Sequence, residues 1–229
     1  MAADTEVEAY LTVLDEFIEA KIKPLEACDD NARFFDHRRE HARTDWDNQG
    51  LPRPEWEALL RQAVDLAEQA GHYRYALPKE YGGRDGSHYA MARIREHLAA
   101  RGLGLHNDLQ TEHSIVGNLV FALMLRDFGT EIHRPFLQQL LDRQAALSFG
   151  LTEPDHGSDA THMETTAAAA VRDGQAGWVI NGCKMWSTGL HVASHILIFA
   201  RHSGKAGDAA GIGAFIVPTD AAGFEVGEY

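Results

Sequence analysis

Near Ala146 the chain changes its period. Up to position 145, apolar residues recur at every third or fourth place; from Ala146 onward, short runs of strand-favouring residues alternate with glycine-containing turns. Residues spaced at 3.6 per turn make a stripe along a helix, whereas those spaced at two make one face of a strand. One chain with both patterns in separate halves calls for two kinds of layer. The expected class is α+β: an all-α helical domain over residues 1–145, followed by a small antiparallel β-barrel-like domain over residues 146–229 that looks incomplete.

Five helical segments are readable in the first part. Thr5 and Glu8 have capping-box spacing, and Val7, Leu11, Leu14 and Ile18 follow at helical period, with Pro24 expected to bend or end the element. A second helix opens at Pro54, carries Trp56, Leu59, Leu60, Ala63, Leu66 and Ala67 on one side, and stops at Gly71. A third runs from Ser87 to Ala100. A fourth, from Asp108 to Phe128, is apolar around Ile115, Val116, Leu119, Val120, Leu123 and Met124 and is expected to be buried on most sides. Gly129-Thr130 caps a fifth through Gln144, with Ile132, Phe136, Leu137, Leu140 and Leu141 inward.

The strand-like runs are Leu147–Leu151, Thr165–Val171, Trp178–Ile180, His195–Ala200 and Ile212–Val217. Turns at Asp173-Gly174, Asn181-Gly182 and Gly204–Gly211 separate them, and Val179–Lys184 carries a hairpin signal. The sequence ends about a dozen residues after the last run, so an exposed sheet edge is expected to be covered by further sequence or by another chain.

Charge excludes one class of partner. A net charge of −13 gives phosphate backbones nothing to bind, and both parts share it: 17 basic against 25 acidic residues up to 145, and 4 against 9 after it. No nucleic acid is expected. Cys28 and Cys183 make no disulfide framework, the acidic N-terminus resembles no signal or transit peptide, and no window approaches the ~18 apolar residues that span a bilayer. A cytoplasmic protein without a membrane span is the expectation.

The chemistry concentrates in two stretches, Leu147-Ser148-Phe149-Gly150-Leu151-Thr152-Glu153-Pro154-Asp155-His156-Gly157-Ser158-Asp159 and Lys184-Met185-Trp186-Ser187-Thr188-Gly189. Taken separately, the first is a strand end with an ordinary turn, and Trp186 is an ordinary core aromatic. Taken together they set an aromatic face beside hydroxyl donors, which suits a flat heteroaromatic ligand. Thirteen His residues invite a metal reading, and His37/His41 and His191/His195 have i, i+4 spacing, but neither pair has a completing ligand nearby.

Leu151-Thr152-Glu153-Pro154-x-x-Gly157-Ser158-Asp159 with Asn181-Gly182-x-Lys184-x-Trp186-x-Thr188 resembles the flavin-binding middle domain of the acyl-CoA dehydrogenases. Pro78-Lys79-Glu80-Tyr81-Gly82-Gly83, Phe128-Gly129-Thr130-Glu131 and Gly213-Ala214-Phe215-Ile216-Val217-Pro218 resemble flanking motifs of that family. The resemblance implies removal of the α and β hydrogens of a fatty acyl-CoA thioester, with hydride passing to N5 of FAD. It implies cofactor-binding roles for Phe149, Leu151, Thr152, Gly157, Ser158, Trp186, Ser187 and Thr188, with Ser158 also reaching the substrate. It also implies electron-transfer flavoprotein or a similar acceptor as partner, and a homo-oligomer, dimer or tetramer.

Two departures stand out. Asp155-His156 replaces the family's more frequent Gly-Ala, and Gly189 replaces its Asn, which bears on substrate choice. The family's glutamate base is expected in a C-terminal helical domain beyond this sequence, so no catalytic residue is assigned, and Glu153 is read as a turn residue. The alternative is a catalytically inactive relative acting as a binding or partner subunit. Cys183 is expected to be a buried small hydrophobe.

Overall fold

The computed structural model describes residues 2–107 and 114–227, with only the backbone of Ala2, Ala3, Asp4 and Glu40. The chain divides into two compact units, one running to Asp127 and the other over Phe128–Val226.

In the first unit α1 (Ala2–Phe17) continues through a π turn at Ile18–Ile22 into α2 (Lys23–Ala27). Thr5 therefore lies inside the helix rather than at its cap. Pro24 does not end the element. Lys23 donates its N–H to the Ile18 carbonyl five residues back, and that wider turn accommodates a residue with no N–H to give. Val7, Leu11, Leu14, Ile18 and Ile22 form the buried stripe. A short ribbon pairs β1 (Thr44–Asp45) with β2 (Leu51–Pro52).

Helix α3 (Pro54–Gln69) has Pro54 in its first turn and Gly71, at φ +74°, just beyond its end. Trp56, Leu59, Leu60, Ala63 and Ala67 are buried in one core with the α1 stripe and with Ile94 and Leu98 of α4 (His88–Ala100). The Ser87 hydroxyl caps α4 by accepting the Ala90 N–H at 3.1 Å.

The fourth expected helix is shorter than its apolar pattern. Residues 108–113, His113 among them, lie outside the described residues, and α5 spans Val120–Phe128. Ile115 and Val116 are fully buried, but in an irregular segment. There the Ser114 hydroxyl donates to the His106 carbonyl and accepts the Val116 N–H, Gly117 donates to the Tyr73 carbonyl, and Leu119 sits at φ +48°. Those bonds satisfy the backbone without a helix.

The second unit opens with a 3₁₀ turn at Glu131–His133 and α6 (Arg134–Leu141), capped by Thr130 together with His133. Leu137 and Leu141 are buried, and the Phe136 ring lies 4.5 Å from that of His195. Ile132, expected inward, is 82% exposed, because the 3₁₀ turn does not continue the phase of α6.

Five strands follow: β3 (Leu147–Gly150), β4 (Thr166–Arg172), β5 (Gln175–Asn181), β6 (His195–Arg201) and β7 (Ile212–Pro218). Strand β6 is the hub. It runs parallel to β3, antiparallel to β7 along its whole length, and meets β4 through the single parallel pair Thr166↔Arg201. The barrel-like expectation is not met, since no sheet closes, and the sheet is mixed rather than antiparallel. One residue pair is too narrow a hinge to carry β4 and β5 around into closure. The hairpin of β4 and β5 turns at Asp173-Gly174, both at positive φ as a type I′ turn requires. Asn181-Gly182 is instead the point where β5 ends.

Candidate functional site

The two stretches singled out in the sequence lie side by side, and a buried ion pair beneath them holds them there. Glu153 is 4% exposed, and its Oε1 sits 2.7 Å from Lys184 Nζ. The same carboxylate accepts the N–H groups of Glu164 at 2.6 Å and Thr165 at 3.0 Å, and Lys184 also donates to the Leu151 carbonyl at 3.1 Å. One side chain thereby ties the turn after β3, the approach to β4 and the segment after β5. Burial pushes the Glu153 carboxyl up, but the hydrogen bonds from Lys184 and from the surrounding N–H groups outweigh it and hold its pKa at about 2. An anion so committed is unsuited to take a proton near neutral pH.

Above this pair the backbone does the positioning. Met185 N–H donates to the Thr152 carbonyl at 2.9 Å, and the Ser148 hydroxyl donates to the Thr188 carbonyl at 3.0 Å. Thr188 N–H donates to the Trp186 carbonyl at 3.1 Å. Trp186 sits at φ +59°, a region that bulky residues avoid, and its side chain is 80% exposed. A large apolar ring held out into solvent by a strained backbone is a feature that stability does not explain.

The other residues of interest fall around it. Phe149 is 42% exposed on β3, its ring 5.2 Å from that of Phe199. Leu151, Thr152 and Ser187 are half-buried, while Gly157, Ser158 and Thr188 are exposed. A Cβ added at Gly157 would lie 4.0 Å from the Thr152 methyl. The structure thus ties the Leu151-Thr152 segment to the Lys184–Thr188 segment through the bonds from Lys184 to Leu151 and from Met185 to Thr152, and β3 to Thr188 through Ser148. Exposed rings beside hydroxyl donors fit a flat heteroaromatic group bearing acceptors at its edge.

Sequence reading missed the Glu153–Lys184 pair and a cavity of about 390 Å³ behind the turn, bounded by Glu153, Asp155, His156, Glu164, Asn181 and Cys183 among others. The one available signal was a lysine set between Cys183 and Met185. Cys183, expected buried, is exposed because β5 ends just before it. Among the described residues no group of three or more His, Cys, Asp or Glu side chains could hold a metal ion, and no helix is long and apolar enough to cross a membrane.

The chain is similar in sequence and in fold to known proteins. Residues 148–229 match the sequence model of the acyl-CoA dehydrogenase middle domain. Acyl-CoA dehydrogenase FadE12 of Mycobacterium tuberculosis is 31% identical over 159 residues, which cover 69% of this chain and 38% of that protein. The matched stretch is thus well under half of that relative, and the chain spans about half the length of the family members it resembles. The structure of a putative acyl-CoA dehydrogenase from Mycobacterium abscessus superposes with a TM-score of 0.67 at 25% identity, covering 95% of this chain and 51% of the other. A glutaryl-CoA dehydrogenase from Mycobacterium smegmatis, solved in complex with FADH2, is similar with a TM-score of 0.51 at 29% identity, over 74% of this chain and 42% of the other.

Proposed function

The chain belongs to the acyl-CoA dehydrogenase family, and from that premise we propose that the protein carrying it is an FAD-dependent acyl-CoA dehydrogenase that desaturates an acyl-CoA thioester between its α and β carbons. In this reading residues 1–145 are the N-terminal helical domain and residues 146–229 the flavin-binding middle domain. FAD, when bound, accepts the hydride that leaves the β carbon.

The residues of this chain bind and tune rather than abstract. Trp186 and Phe149 supply apolar cover that excludes water. Thr152, Ser187 and Thr188 supply hydroxyl donors on a backbone set before the cofactor arrives, because Met185 donates to the Thr152 carbonyl and Ser148 to the Thr188 carbonyl. Leu151 would supply apolar contact to the ring, and Gly157 would let the backbone come close. Ser158 serves the cofactor phosphates and the thioester. Glu153 and Lys184 hold the turn, and no glutamate of this chain is given the role of base. An electron-transfer flavoprotein or similar acceptor and assembly into a homo-oligomer complete the proposal.

The observation that carries it is the exposed Trp186 at positive φ, next in the chain to the half-buried Ser187 and the exposed Thr188 and bonded through Met185 to Thr152. Replacing Thr188 by Ala removes a donor from the hydride-accepting edge. Flavin reduction by acyl-CoA in stopped flow is expected to slow by about tenfold, the equivalent of one hydrogen bond to developing charge. An unchanged rate would remove Thr188 from the site.

A further inference from the structure

The first unit holds a pocket that uses none of the flavin-site residues. From Arg33 to Arg53 the sequence sets five arginines against four carboxylates, in a chain with 21 basic and 34 acidic residues overall. In the fold, Arg33, Arg39 and Arg53 meet His41 around an open cavity of about 260 Å³, lined also by Ala42 and Glu55. All three arginines are half-buried.

Each guanidinium is fixed from behind. Arg33 donates through Nη1 to the Asp30 carbonyl at 2.9 Å and lies 4.1 Å over the Phe34 ring. Arg39 donates through Nη2 to the Asp30 carboxylate at 2.9 Å. Arg53 donates through Nε to the His41 carbonyl at 2.8 Å, with the Asp45 carboxylate 3.6 Å from its Nη2. A guanidinium carries five N–H donors, so these bonds set orientation and leave further donors on each. Two of the three anchors are neutral carbonyls; Asp30 and Asp45, which pair with Arg39 and Arg53, are not among the lining residues, and Glu55 is the carboxylate that lines the cavity with the three arginines. Three oriented cations around one cavity repel one another, and an anion with several acceptor oxygens relieves that repulsion while taking bidentate bonds.

We propose that this pocket, formed by Arg33, Arg39, His41 and Arg53, binds the phosphate groups of a small ligand. Its size admits two phosphates but not a whole nucleotide, so a diphosphate, free or with its remaining part projecting outward, is the class of ligand that fits.

The test is calorimetric titration of the protein with inorganic pyrophosphate and, separately, with adenosine diphosphate, at low ionic strength. One site per chain is expected, with a dissociation constant on the order of 10–100 μM that weakens with added salt. Equal affinity for the two probes assigns recognition to the diphosphate alone. Tighter binding of the nucleotide assigns it to a nucleoside diphosphate. Arg33→Gln and Arg39→Gln are each expected to weaken binding at least tenfold while circular dichroism and Tm stay as in the parent protein. Arg39 is anchored to the exposed Asp30, so its variant decides the matter if Arg33→Gln does not fold. Absence of heat with either probe, or unchanged affinity in a folded Arg39→Gln variant, overturns the proposal.

Discussion

Replacing Lys184 by Met is expected to destabilise the protein by about 3–5 kcal/mol, the loss typical when one partner of a buried ion pair is removed. Methionine nearly fills the space of the lysine stem but leaves Glu153, at 4% exposure, without its ammonium. The effect has a defined pH dependence. In the parent protein the Glu153 pKa is held at about 2, below its ordinary 4.5. A carboxyl depressed in this way stabilises the fold above 4.5, and the stabilisation is lost as pH falls from 4.5 toward 2. In Lys184→Met the unpaired Glu153 takes up a proton instead, so the two proteins should converge in stability as pH falls through that window. Urea unfolding of both, at neutral pH and then stepwise down to pH 3, reads the difference directly. A loss under 1 kcal/mol at neutral pH would mean that the pair is a bystander.

Gly182→Ala should be nearly as damaging, for reasons of space and backbone together. Gly182 sits at φ +155°, and a Cβ there would lie 2.3 Å from Thr165 Oγ1 and 2.7 Å from Thr165 Cα. Thr165 cannot withdraw cheaply. It is 2% exposed, and its N–H is committed to Glu153. Overpacking of this kind and the strained φ together cost roughly 3–4 kcal/mol. For a chain of this size that is a fall in Tm on the order of 10 °C. Asn181→Ala, one residue earlier and exposed, is the control and should change Tm little. A Tm for Gly182→Ala within 2 °C of the parent would show that Thr165 moves freely, and would weaken the view of Glu153 as the rigid centre of the site.

The elements that were legible in the sequence are those that carry their own punctuation. Helix α3 was readable because Pro54 and Gly71 mark its ends, and α4 because Ser87 caps it. The five strands were readable because their apolar runs are short, and Asp173-Gly174 and Gly211 punctuate three of them. The start of α5 was not, because the bonds that keep Ser114–Leu119 irregular come from His106 and Tyr73, which no periodicity registers. The failure of the sheet to close depends on a single β4–β6 residue pair, equally invisible in a linear pattern.

The candidate site divides in the same way. Its side chains were legible as two motifs, since exposed hydroxyls beside Trp186 are chemistry written locally. Their adjacency depends on the Met185–Thr152 and Ser148–Thr188 bonds. Glu153 looked like a turn residue because its partners lie 11, 12 and 31 positions further on. The arginine pocket is scattered in a related way, since Arg53 joins Arg33 and Arg39 only after the β1–β2 ribbon reverses the chain.

The central claim is that residues 147–159 and 184–189 form half of a flavin site. It is tested most directly by the visible absorption of the protein carrying this chain, purified and titrated with FAD. The account expects one FAD per chain, released on denaturation, with a resolved visible band that bleaches anaerobically on addition of acyl-CoA. It also expects weaker binding by at least tenfold in Trp186→Ala, from the loss of an aromatic contact and its apolar area. A folded protein that carries no flavin and takes up none on titration would contradict it.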